Sequence, residues 1–208
     1  MCAAKLLVLA ACLTLVTPAL ACKGRKTLFS DDFREVDASW AIEGDAISVD
    51  DGRAKIKANP DAGYRVLYGG ALFDDADMCV TIRMPNDVAQ PAKASAGIIF
   101  WARDYSNYYV FEMAANGLVT LQRLVRGAWI DIIDWRPIEG LSTGSGARNV
   151  LRVTTSGNLI TTYVNDTKIG SVRGQPPEGG GKIGLRSESE EAKRDAWKFS
   201  DLKVTDLP

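Results

Sequence analysis

Polar and apolar positions alternate along most of the chain. RAKIKA (53–58) alternates residue by residue after Asp51-Gly52, DMCVTIRM (77–84) does the same ahead of Pro85, and NVLRVTT, LITTYVN and TKIGSVR follow at close intervals. A period of two places successive side chains on opposite faces of an extended backbone, so these segments predict strands with one buried face. The breaks between them carry Asp51-Gly52, Asn116-Gly117, Arg126-Gly127, Ser156-Gly157-Asn158 and Asn165-Asp166, residue types that tolerate the positive φ of tight hairpins. Roughly a dozen candidate strands emerge, with no amphipathic helix and no repeat of fixed period. The pattern predicts an all-β protein built as an antiparallel two-sheet β-sandwich.

One segment concentrates the aromatic residues. GIIFWARDYSNYYVFEM (97–113) holds two Phe, three Tyr and one Trp. Parity places Tyr109, Phe111 and Met113 on one face and Tyr108, Val110 and Glu112 on the other. On the preceding strand it sets Ile98 and Phe100 against Ile99 and Trp101, with Asp104-Tyr105-Ser106-Asn107 as the turn. The expectation is a hairpin with a core face and a mixed face. Two polar connections, 85–95 (PNDVAQPAKAS) and 187–195 (SESEEAKRD), read as solvated loops, with the sharper alternative that they rim a binding face.

The N-terminus has different chemistry. Lys5 precedes the apolar run LLVLAACLTLVTPALA, which ends in Ala19-Leu20-Ala21, the small-residue pattern of an export signal over residues 1–21. A short lead (22–27) and one domain (28–208) would follow, with no transmembrane segment. Cys22 and Cys79 are the two cysteines beyond the signal, and an oxidising compartment favours their pairing. The alternative is a loose lipobox with a lipid anchor on Cys22. Either way the chain is expected to be exported, periplasmic or secreted.

Composition removes several function classes. The formal net charge is −1 and the basic residues are dispersed, so no nucleic-acid partner is expected. Histidine is absent, which removes His-based triads, His-ligated zinc and imidazole acid–base catalysis.

LFSDDF (28–33), the hairpin above, ANGLVTLQRLVRGAW, NVLRVTTSGNLITTYVND, GKIGLRSE and the closing WKFSDLKV (197–204) together resemble the concanavalin A-like jelly-roll superfamily. More narrowly, they resemble exported bacterial laminin-G-like and 3-keto-disaccharide-hydrolase-like modules. The resemblance implies two stacked antiparallel sheets, one of them concave, and a glycan or cell-envelope polysaccharide as partner. A sugar site needs an exposed ring for C–H faces and fixed polar groups for hydroxyls. Parity nominates Trp101, Tyr108 and Glu112, with Arg123, Trp135 and Arg186 as neighbours. Trp129, following Gly127-Ala128, reads instead as a hairpin residue anchoring the core.

For catalysis the sequence is poorer. The E-x-D-x-E or E-x-D-x-x-E arrangement of family 16 glycoside hydrolases begins at Glu43-Gly44-Asp45 and fails at Ile47 and Ser48, and Gly44 suggests a turn. Where 3-keto-disaccharide hydrolases carry an Arg and a Glu-x-Gln, this chain has Trp101, Val110 and Glu112, leaving Glu112 as the catalytic candidate. Asp31, Asp32 and Asp201 are calcium candidates where the termini meet, but no dense acidic loop accompanies them. The expected function is an exported, non-catalytic, carbohydrate-binding module without a required cofactor. The alternatives are a glycoside-cleaving enzyme and a cell-envelope interaction module.

Overall fold

A computed structural model describes residues 21–87 and 93–208. The export signal expected over residues 1–21 and the centre of the 85–95 loop therefore lie outside the described residues, apart from Ala21 and the loop ends. Fourteen strands build two antiparallel sheets. They are β1 Thr27–Asp31, β2 Ile47–Asp50, β3 Arg53–Lys57, β4 Gly63–Leu67, β5 Ala76–Arg83, β6 Ser95–Asp104 and β7 Asn107–Ala114 in the first half of the chain. β8 Leu118–Val125, β9 Ala128–Pro137, β10 Arg148–Ser156, β11 Leu159–Val164, β12 Thr167–Arg173, β13 Lys182–Glu188 and β14 Ala196–Thr205 complete the set.

The eight-stranded sheet runs β12-β11-β10-β5-β14-β3-β2, with β1 also paired to β14. The six-stranded sheet runs β4-β13-β6-β7-β8-β9. Ile98, Phe100, Phe111 and Met113 of the six-stranded sheet pack with Val80, Ile82, Trp197 and Phe199 of the eight-stranded one, all fully buried. Period-two alternation is what makes this possible, since each strand offers one apolar face to the shared core. Burial of that face supplies most of the stabilisation, at about 1.5–3 kcal/mol per large side chain. No described helix is long and apolar enough to cross a membrane.

β14 pairs with β3 through Ala196–Phe199 and with β1 through Leu202–Thr205. Its register shifts between Ser200 and Lys203, where Asp201 takes φ 54°. Asp201 thus serves a bulge in which aspartate is tolerated. Asp31 gives its oxygens to the Phe33 amide and the Trp40 indole, both at 2.7 Å, while Asp32 pairs with Arg34 at 3.3 Å. Among the described residues no three acidic, cysteine or histidine side chains gather as a metal site, and the calcium candidates Asp31, Asp32 and Asp201 do not cluster.

The 187–195 connection is more embedded than a solvated loop. Ser189 and Asp195 are buried, the Ser189 hydroxyl donates to the Ala58 carbonyl at 3.0 Å, and Asp195 accepts the Glu190 amide at 2.9 Å. Glu190 in turn accepts the Ala94 amide at 2.9 Å and the Lys93 amide, tying this connection to the chain entering β6.

Cys22 is bonded to Cys79 in the middle of β5. The same sulfur cannot also carry a thioether-linked lipid. Next to it Asp77, wholly buried, accepts Arg152 Nε and the Lys23 amide, each at 2.7 Å, so the lead is fixed to the sheet by a disulfide and a hydrogen bond to a buried carboxylate. The bridge spans 57 residues of sequence. Chain entropy assigns a closed loop of that length about 4 kcal/mol. Replacing both cysteines by Ala is expected to lower the unfolding free energy by about that amount in urea titration. Intact mass of the wild-type protein should fall two hydrogens short of the dithiol.

Candidate functional site

The outer face of the six-stranded sheet carries a row of residues that the register puts side by side. Arg65 on β4 pairs with Arg186 on β13, Arg186 with Gly97 on β6, Gly97 with Glu112 on β7, and Glu112 with Thr120 on β8. Arg186 and Glu112 are one strand too far apart to be direct neighbours, yet Arg186 Nη1 lies 2.6 Å from Glu112 Oε1. Gly97 is the reason. A Cβ there would sit 2.1 Å from the Phe111 carbonyl and 2.6 Å from Glu112 Cγ. Gly63 leaves room on the other side, since its Cβ would meet Arg186 Nη2 at 2.9 Å.

Both terminal nitrogens of the guanidinium are engaged. Its second arm holds Glu188 at 2.7 Å, and the Trp129 ring lies over Cζ at 5.1 Å. Glu112 is 1% exposed and its Oε2 makes no hydrogen bond of normal geometry among the described residues, although the Ser95 hydroxyl lies near enough to favour the charged carboxylate. Burial pushes the Glu112 carboxyl above its ordinary range, against the opposing pull of the Arg186 charge. Burial acts to lower Arg186, but the two carboxylates outweigh it and hold the guanidinium above its usual value.

A cleft of about 570 Å³ opens over this pair. Its β9 wall carries Trp129 and Trp135, 43% and 39% exposed, together with Asp131, which accepts Gln122 Nε2 at 2.7 Å. Two register shifts in the β8–β9 ladder set this wall. Val119 and Leu121 pair with Arg136 and Ile133, while Gln122 pairs with Asp131, so β9 gains residues and Trp135 returns to the side of Trp129 and Asp131.

The six residues nominated from sequence divide. Glu112, Arg186 and Trp135 share the cleft. Tyr108 faces the expected side but is 2% exposed beneath Trp129, with ring centroids 5.8 Å apart, and burial pushes its hydroxyl up. It supports the wall and offers no stacking face. Trp101 is a correction: the β6–β7 register shifts after Phe100, Trp101 takes φ 49°, and its ring turns into the core against Phe100 and Tyr109. At 3% exposure it belongs to the packing of the sandwich. Arg123 also lies elsewhere, donating to Gln175 Oε1 at 2.6 Å and covering the Tyr109 ring beside a smaller cavity of about 250 Å³.

Trp129 is the residue that its hairpin context, Gly127-Ala128, misassigned. Assigned to the core, it is instead the exposed ring on Arg186. Following the ladder across the sheet would have found it, because Tyr108 pairs with Leu124 and Leu124 with Trp129.

The chain matches no protein-family profile and no curated protein sequence. Solved structures do match. The carbohydrate-binding module CBM66 from Bacillus subtilis superposes with TM-score 0.57 at 15% identity, over 73% of this chain and 86% of that one. A Bacillus licheniformis beta-glucanase gives 0.59 at 11% identity, over 85% and 97%. The potassium-bound carbohydrate recognition domain of Emp46p gives 0.63 at 14% identity, over 89% and 100%. The fold is the concanavalin A-like jelly roll. These identities establish the architecture of the jelly roll and leave its chemistry to its own residues.

In this jelly roll the buried ion pair is a poor source of stability, because desolvating both charges offsets their attraction. Glu112→Ala alone should destabilise by about 3–5 kcal/mol, leaving Arg186 short of a partner, whereas Glu112→Leu with Arg186→Met should recover most of that loss in urea titration. Gly97→Ala should cost about 1–3 kcal/mol through the backbone clash.

Proposed function

We propose that the protein is an exported, non-catalytic glycan-binding jelly roll whose ligand lies in the cleft over Arg186 and Glu112. The observation that carries this reading is one arrangement: two half-exposed tryptophan rings beside a buried carboxylate with an unpartnered oxygen. The rings suit the apolar C–H faces of a sugar, and the fixed oxygen suits a hydroxyl. Solved jelly rolls described as carbohydrate-binding or carbohydrate-recognising lend the reading support by analogy. The disulfide fits the oxidising compartment that export implies.

A non-catalytic role is favoured because each acidic group in the cleft is already engaged. Glu112 is held by Arg186, Glu188 by the same guanidinium, and Asp131 by Gln122. Asp45 of the incomplete Glu43-Gly44-Asp45 motif is occupied by Arg194, and Gly44 sits at φ 73° ahead of β2. Glycoside cleavage, including the 3-keto-disaccharide type, is the second reading. It is favoured by the upward-shifted carboxyl of Glu112, which has the free oxygen a general acid would use.

A glycan array followed by calorimetry, with turnover assays on ordinary and 3-keto glucosides, separates the readings. Binding without turnover is expected. Trp129→Ala and Trp135→Ala should each weaken affinity by about three- to tenfold, the worth of one aromatic contact. Trp101→Ala should lower stability instead. Turnover abolished by Glu112→Gln would establish the enzyme, and neither binding nor turnover would leave this face as a protein-contact surface.

A further inference from the structure

The cleft's unused hydrogen-bonding capacity narrows the class of ligand, and this step rests on reading it as a glycan site. Five charged side chains line it: Lys93, Glu112, Asp131, Arg186 and Glu188. Carboxylates outnumber cations, and the cations are poorly placed to grip an anion. Both arms of Arg186 are committed, to Glu112 and Glu188, and Trp129 covers its face. Lys93 stands exposed at the rim.

Lys93 and Asn116 keep donors at the exposed rim, but on the cleft floor what remains for a ligand is oxygen. Glu112 Oε2 is buried without a donor, Asp131 has given only Oδ1 to Gln122, and the Glu188 side chain is 45% exposed. Carboxyl oxygens left without donors favour a ligand that presents hydroxyl donors and no negative charge. A uronate or sulfate brought among three carboxylates would meet like charge in a partly desolvated space. We propose that the cleft selects uncharged sugars, which donate a hydroxyl to Glu112 Oε2, and rejects acidic glycans.

The test is calorimetric titration of the protein at low ionic strength. The probes are neutral gluco-, manno- and galacto-oligosaccharides and oligogalacturonides of matched length. At least one neutral series is expected to bind, with the oligogalacturonides weaker by about tenfold or more. Raising the salt should narrow that gap, because screening shortens the reach of the rim carboxylates. Asp131→Asn with Glu188→Gln leaves Glu112 in place and removes two rim charges, and it is expected to narrow the ratio of neutral to oligogalacturonide affinity by about three- to tenfold; an unchanged ratio would count against the selectivity. Oligogalacturonides binding as well as or better than every neutral series would overturn the selectivity while leaving the glycan reading intact. Failure of both classes to bind would overturn the glycan reading, and this inference with it.

Discussion

Arg186 and Glu112 meet across a strand that has no side chain between them. The outer face of the six-stranded sheet is organised by that meeting. With Gly97 absent as an obstacle, the guanidinium can lie along the sheet, reach two carboxylates and present its face to Trp129. Trp129 then covers Tyr108, and beneath them Leu67, Ile99, Val110 and Leu124 form a small apolar cluster separate from the main core. A sheet face that would ordinarily be solvated becomes a second, shallow interior. The cleft is the part of that face left uncovered.

The two sheets therefore have different duties. The eight-stranded sheet receives the N-terminal lead through Cys22–Cys79 and the Lys23 amide held by Asp77, and it closes the chain by pairing β1 with β14. Its outer face carries fixation. Buried polar atoms without a hydrogen bond occur on both sheets, Thr162 Oγ1 on the eight-stranded one and Glu112 Oε2 on the six-stranded one, and of these two Glu112 lines the cleft.

Period-two alternation made most of this architecture legible. Tyr109, Phe111 and Met113 occupy the core as parity requires, and Asp104 closes the predicted turn by accepting the Ser106 amide at 2.7 Å and the Asn107 side chain. Parity failed where the ladder slips. Trp101 follows Phe100 into the core through a positive φ that no rule of alternation anticipates. Residue type could nominate Glu112 and Arg186 separately. Their contact, across 74 residues of sequence and one intervening strand, depends on sheet order, which local pattern does not encode.

β9 is the last strand of its sheet, so it has a paired neighbour on one side only. Both of its register slips lie on the ladder to β8, and most of its residues are solvent-facing or half-buried. Insertion or loss of a residue there would re-aim the tryptophans with little consequence for the strands beyond β8. The tryptophan wall is thus separable from the scaffold in evolutionary terms. A descendant could change the spacing of its rings while inheriting the ion pair and the sandwich unchanged.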